Sequence, residues 1–344
     1  MTEPLLVLAW LVLAHLTSDF VLQTGRIARA KSGSGGRALG ALVGHGLIVA
    51  ACLAPVGLAY GAPGWWLVGL TVLSHVAIDR AKVLLTRRTA AAALAQAHRR
   101  HEGPRAVDHL GRAWTPLPAA LFVVDQAAHV FVAIVLWAVY LVPSSPTTAW
   151  TGAIDGWLGT WDRAAVHDVI SAAVVLTSLM IVNVLTGAMF VAILVRPVEQ
   201  AEGETRWGGR LAPTTDEPRP TPAHEPIRRW SVRLGPLDAR IEAEPDRSGA
   251  DAAPQDTGTP RPMGPNARVG ATIGVLERIL IVLFVLTGSD AAIGFVVAAK
   301  TLARFRLLDD RDFAEYYLLG TLASVAVAIV TAVIGRAALT ALLA

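Results

Sequence analysis

Charge is what this sequence holds least of. Only 17% of its 344 residues are Asp, Glu, Lys or Arg, where a soluble domain carries about a quarter. Those charges are also segregated, so that long stretches hold none. Cysteine is nearly absent: Cys52 stands alone, which excludes an intrachain disulfide framework and a cysteine-based zinc knuckle. A strong excess of one sign is missing too. The net charge is only +3, and the basic residues fall in short loops between apolar runs. That placement orients a chain in a bilayer and argues against a nucleic-acid partner.

What the sequence has in abundance is apolar length. Apolar residues make up 53% of the chain, and its mean hydropathy is +0.50. A membrane span needs about 20 mainly apolar residues. Runs of that kind lie near 4–23, 38–60, 65–85, 116–142, 171–195, 269–287 and 313–341, with a shorter one near 290–305. These predict an all-α, polytopic transmembrane bundle of about eight helices. The first run opens on Glu3 and holds His15 and Asp19, which reads as a retained helix and not a cleaved leader. Gly61 to Gly64 and Thr287 to Ser289 mark tight turns between neighbouring helices.

Alternate connections are basic. Arg26, Arg29, Lys31 and Arg37 fill the first, and Arg87, Arg88, Arg99, Arg100, Arg105 and Arg112 the third. Arg196 opens the long polar segment, and Arg304, Arg306 and Arg311 fill the last. The positive-inside rule puts these loops in the cytoplasm and both termini outside it. The expected setting is a bacterial plasma membrane. Trp65, Trp66, Trp150, Trp157 and Trp161 suit an outer interfacial belt, and Trp114 the inner one.

Residues 197–268 are of another composition, rich in Pro, Glu, Arg, Asp and Thr. Such a segment buries too little apolar surface to offset its ordering entropy, so a mostly disordered cytoplasmic linker is expected. Ile227 to Ile241 is the part suited to local order. The linker reads as a tether, with a cytoplasmic partner as the other reading. The division is therefore a four-helix membrane domain over 1–142, and an extracytoplasmic loop with a fifth span over 143–196. The linker covers 197–268, and a three-helix block covers 269–344.

Ionisable residues inside membrane helices are costly and mark function. The first four runs hold His15 and Asp19, His45, His75 and Asp79, and Asp125 and His129. Three of these helices space His and Asp four apart, which sets both on one face. Gln23 continues the first face and Lys82 lies a turn beyond Asp79. By the ~1.5 Å rise per residue, all sit about 5–20 Å from the cytoplasmic helix ends, a shared depth that predicts one pocket. A short repeat adds to this: Val12 to His15 with Asp19 matches Val72 to His75 with Asp79. The two helices run in the same direction, so the repeat would be parallel.

Imidazole and carboxylate are ordinary ligands of zinc, manganese and iron. His15, Asp19, His45, His75, Asp79, Asp125 and His129 are the candidate ligands. They would serve one metal with its surrounding shell, or two metals sharing a carboxylate. An open metal position activates water, which points to hydrolysis of a phosphoester, amide or lipid-linked bond. Asp19 and Asp79 are the candidate catalytic carboxylates, and Lys82 would neutralise an anionic substrate. Two other readings stand beside this one. His and Asp chains also form proton or cation pathways in transporters, and polar side chains act as interhelical glue. His98, His101, His109, His167 and His224 lie in loops or the linker and carry no assigned role.

In the last block, Glu277, Arg278, Lys300, Arg304 and Glu315 lie towards the cytoplasmic face. Glu277 is expected to pair with Lys300 or Arg304. Gly270, Gly274, Gly294 and Gly320 permit close helix approach.

The stretch His15-Leu16-Thr17-Ser18-Asp19-Phe20-Val21-Leu22-Gln23, then His45, His75 to Asp79 with Lys82, and Asp125-Gln126 with His129 resembles a bacterial membrane-protein family, domain of unknown function 3307. Ile273 to Arg278, Ile293 to Phe295 with Lys300, and Phe313 to Tyr316 look like the tail of longer members. The resemblance covers about 1–140 and 268–335 and implies a helical membrane fold without an activity. The His/Asp pattern is also loosely similar to membrane-bound metal-dependent hydrolases, an analogy of residue type alone.

Overall fold

The computed structural model describes residues 3–33, 35–100, 116–195, 229–234, 237–242, 265–305, 308–309 and 311–344. The first half is helical throughout its regular elements. Helix α1 (Glu3–Leu16) continues into a π-helical turn (Thr17–Val21), and short α2 (Gly25–Lys31) follows. Next come α3 (Gly36–Tyr60), α4 (Ala62–Arg100), α5 (Leu117–Leu136) with its own π turn (Trp137–Leu141), and α6 (Thr148–Leu158). Helix α7 (Arg163–Ile181) passes through a third π turn (Val182–Thr186) into α8 (Gly187–Val195). The last block is α9 (Pro265–Leu286), α10 (Ala291–Ala303) and α11 (Arg311–Leu343).

Five of these are long and apolar enough to cross a membrane: Pro4–Val21, Gly36–Tyr60, Leu117–Leu141, Arg163–Val195 and Ala314–Leu343. The other three expected runs are helical as well. Helix α10 has only 13 residues. Helix α4, at 39 residues, is about 58 Å long by the usual α-helical rise, far beyond the roughly 30 Å hydrocarbon core of a bilayer. Its second half carries Arg80, Lys82, Arg87 and Arg88. Large apolar side chains face outward along the bundle, among them Leu73 at 69% exposure, Phe131 at 66% and Phe295 at 78%. In water such a surface would aggregate; against lipid tails it is the normal exterior.

Helices α1, α3, α4 and α5 pack together, and α2 lies against α3. Their apolar core is Leu11, Val49, Leu53, Val56, Leu67, Val68 and Leu141, with smaller neighbours. The α3–α4 corner is a turn at Gly61, whose φ of 64° suits glycine. It closes tightly because Gly64 meets the Val56 carbonyl: a Cβ there would lie 2.4 Å from that oxygen. Helices α9 and α11 share a core of Ile281, Val285, Ala328 and Ala332. A third cluster of Val175, Leu179 and Leu342, flanked by Leu6 and Ala9, joins α1 to the second half through α7 and α11.

Within the expected linker, the described residues depart from disorder. Arg229–Leu234 and Leu237–Glu242 pair as an antiparallel hairpin, β1 and β2, with Trp230 opposite Ile241. The hairpin falls within the stretch whose composition suited local order. The rest of 197–264 lies outside the described residues.

Candidate functional site

The π turn after α1 sets the site. Its widened bonding, with the Leu22 N–H donating to the Thr17 carbonyl at 2.9 Å, changes the angular spacing of side chains around the axis. Such turns recur at functional positions because they re-aim side chains. Here the turn carries Ser18 and Asp19. The Ser18 hydroxyl donates to the His15 carbonyl at 2.8 Å.

Asp19 Oδ1 lies 3.1 Å from His45 Nε2 and 3.1 Å from His75 Nε2, and the two nitrogens are 3.0 Å apart. Three donor atoms from α1, α3 and α4 thus form a nearly equilateral triangle. All three side chains are buried, that of His45 completely. His15 and His129 stand beside them, their rings stacked at 4.7 Å, with the His75 ring 4.2 Å from His129. A small cavity opens over this histidine group, walled by Leu11, Val49, Leu53, Ile78, Val132 and Ala133.

The remaining carboxylates have a different surrounding. Lys31 Nζ donates to Asp79 Oδ2 at 2.6 Å and to Gln23 Oε1 at 2.8 Å. Lys82 Nζ donates to Asp125 Oδ2 at 2.7 Å and lies over the Phe122 ring. Gln126 Nε2 donates to the same Asp125 oxygen at 2.9 Å, and Gln126 Oε1 is 3.2 Å from His15 Nε2. His129 Nδ1 donates to the Asp125 carbonyl at 2.8 Å. Asp79 Oδ2 is 3.7 Å from His45 Nε2 and 3.9 Å from His75 Nε2, so the whole set is one network.

All seven expected ligands and Lys82 therefore meet. Their surroundings differ, although Asp79, Asp125 and His129 also bring ligand atoms within 4.8 Å of one another. Asp79 and Asp125 are counter-ions of lysines, and Lys82 is engaged by Asp125 instead of standing free at a rim. Asp19 is the carboxylate held by imidazoles. With neutral histidines, three carboxylates against two ammonium groups leave one net negative charge.

Sequence reasoning missed Lys31, which looked like one more basic loop residue. It is 8% exposed, carried inward by α2. The capping Thr24, which accepts from the Ile27 N–H, starts that helix. Arg80 and Arg87 of α4 donate to the carbonyls of Gly33 and Ser32, fastening the segment that delivers Lys31.

The second half has its own buried polar groups. Lys300 pairs with Glu277 at 2.5 Å, as expected, and Arg304 instead lies over the Tyr317 ring. Arg278, 3% exposed, donates from Nε to the Asn183 carbonyl in the third π turn at 2.6 Å and from Nη1 to Ser324 at 3.0 Å. These groups do not converge with the His/Asp network.

Comparison with known proteins places the network inside one family region. Residues 7–156 match the family described as "Protein of unknown function (DUF3307)". That region spans most of α1 to most of α6 and contains every member of the network. No curated protein and no solved structure matches the chain.

Proposed function

With residues 7–156 belonging to the DUF3307 family, we propose that this region is a divalent-cation centre inside the membrane. In this reading Asp19, His45 and His75 hold the ion, and its chemistry is hydrolysis. The observation that carries it is the triangle of donor atoms with edges of 3.0–3.1 Å. An ion at ordinary ligand distances of about 2.0–2.2 Å reaches all three atoms at once. Two imidazoles and one carboxylate leave further coordination positions open. The net negative charge of the network favours a cation. Manganese, iron and zinc all suit this donor set.

A cation there would supply an activated water, and that water would be added across a phosphoester, amide or lipid-linked bond. The small cavity beside His15, His75 and His129 is where that water would stand. The basic residues around Lys31 and along α4 favour a site on the cytoplasmic side of a bacterial plasma membrane, with the linker as a tether or partner-binding segment there. Elemental analysis of the detergent-purified full chain tests this. Near-stoichiometric manganese, iron or zinc is expected, lost in His75→Ala. Metal-free protein that takes up none of the three on incubation would end the reading.

One observation favours a second reading. From His15 through His75, His45 and Asp79 to Lys31, successive polar atoms or rings lie in contact, as a proton or cation pathway needs. Proteoliposomes would then carry a flux that Asp79→Asn abolishes and chelators leave intact.

A further inference from the structure

We infer that His15 and His129 hold a second cation beside the first, with Asp19 bridging the two. The inference rests on the reading of Asp19, His45 and His75 as a cation position, and it begins with protons. Lys82 and the Gln126 amide nitrogen both donate to Asp125 Oδ2, at 2.7 and 2.9 Å. The amide nitrogen being committed, the Gln126 oxygen is what faces His15 Nε2 at 3.2 Å. An oxygen only accepts, so His15 carries its hydrogen on Nε2. Its Nδ1 is then a bare lone pair. The Asp125 carbonyl likewise takes the Nδ1 hydrogen of His129 at 2.8 Å, which leaves Nε2 of that ring bare.

Both bare nitrogens are buried and without a hydrogen-bond partner. Two lone pairs cannot satisfy each other, and an unmet buried acceptor is destabilising. A cation meets both at once. His15, His75 and His129 each bring a ring nitrogen within 4.8 Å of the others, but His75 already turns Nε2 to His45 and Asp19. On its His15 side the new position also has the outer oxygen of Asp19: Oδ2 lies 4.0 Å from His15 Nδ1, while Oδ1 faces the first position. A carboxylate bridge of this kind suits paired metals about 3.5–4 Å apart. The small cavity lined by His15, His75 and His129 opens over this position and gives it access.

Lys82, Asp125 and Gln126 are then positioning residues. They fix the tautomers through which His15 and His129 present lone pairs, as groups behind metal-bound histidines commonly do.

The test uses the full chain in detergent with Mn²⁺ alone as probe, read by bound manganese per chain and by electron paramagnetic resonance. Two ions per chain with a spin-coupled spectrum are expected. His129→Ala should keep one ion and lose the coupling. Gln126→Leu removes no ligand and should weaken the second equivalent by about 10–100-fold, leaving the first in place. One ion in the wild type, or two ions untouched by both substitutions, overturns the second position and spares the first. No bound manganese here, together with no manganese, iron or zinc in the elemental analysis above, overturns both.

Discussion

In the first half of the molecule, α1, α3, α4 and α5 bring four imidazoles, three carboxylates and a lysine to one place, and α2 adds a second lysine. In the second half, Glu277, Lys300 and Arg278 are also largely withdrawn from the surface, yet each is settled by a near neighbour. Glu277 has Lys300, and Arg278 has a carbonyl exposed at a π turn and a serine hydroxyl. The contrast lies in what is left over. Around Arg278 the unmet groups include a guanidinium nitrogen and the Asn183 side-chain oxygen, a donor and an acceptor. In the His/Asp network they include Asp125 Oδ1, His15 Nδ1 and His129 Nε2, three acceptors, against His45 Nδ1, which is a donor when Nε2 faces the cation. Polar glue balances its donors and acceptors; a surplus of buried lone pairs asks for a cation. Burial of charge alone does not separate the two cases, and the leftover inventory does.

The sharpest way to break this comparison is at Lys31. Lys31→Met leaves the Asp79 carboxylate buried and alone, and removing one partner of such a pair costs about 3–5 kcal/mol. Thermal unfolding in detergent should show that loss, with much of it restored in Lys31→Met/Asp79→Leu. If the single variant unfolds like the wild type, the pair contributes nothing. Metal removal comes next. Saturation at a hundredfold excess over Kd stabilises by about 2.7 kcal/mol, so a chelator should lower the unfolding temperature of the wild type. The shift should be smaller in His45→Ala, and a shift of equal size in that variant would detach stabilisation from the triangle.

Glycine contacts compare the halves on packing. Gly64→Ala drives a Cβ into the Val56 carbonyl and should cost about 1–3 kcal/mol as an overpacked contact. Gly335→Ala meets only the Leu179 side chain, at 2.7 Å, which can turn aside, so its cost should be smaller. The reverse order would mean that the α3–α4 corner yields easily. The least effect on the metal belongs to Arg278→Met. The substitution leaves the Asn183 carbonyl and the Ser324 hydroxyl without their donor, which should cost about 1–3 kcal/mol. Unchanged metal content is expected. A loss of bound metal would join the two halves functionally.

Much of this was legible in the sequence because apolar runs make any ionisable residue conspicuous. His15, Asp19, His45, His75, Asp79, Asp125 and His129 stood out for that reason, and helix spacing set them facing one another. The Glu277–Lys300 pair was legible on the same grounds. Lys31 was not, because it sits among Arg26, Arg29 and Arg37, where a basic residue reads as an orientation signal. The exchange of partners between Asp19 and Asp79 was also hidden. The repeat Val12–Asp19 against Val72–Asp79 predicts equivalent roles, yet the first copy ends in a π turn and the second runs on as regular α4. No residue type announces that turn. Gln126 was visible beside Asp125, but its place between Asp125 and His15 depends on a register that spacing along one helix does not contain.

The delivery of Lys31 by α2 has a consequence for how the chain is made. The ribosome finishes α1 and α2 well before it reaches Asp79, so Asp19 enters the membrane lacking both imidazoles that hold it, and Lys31 lacks its carboxylate. The Lys31–Asp79 contact therefore forms only after α4 is made, and α5 adds Asp125 and His129 to the network later still.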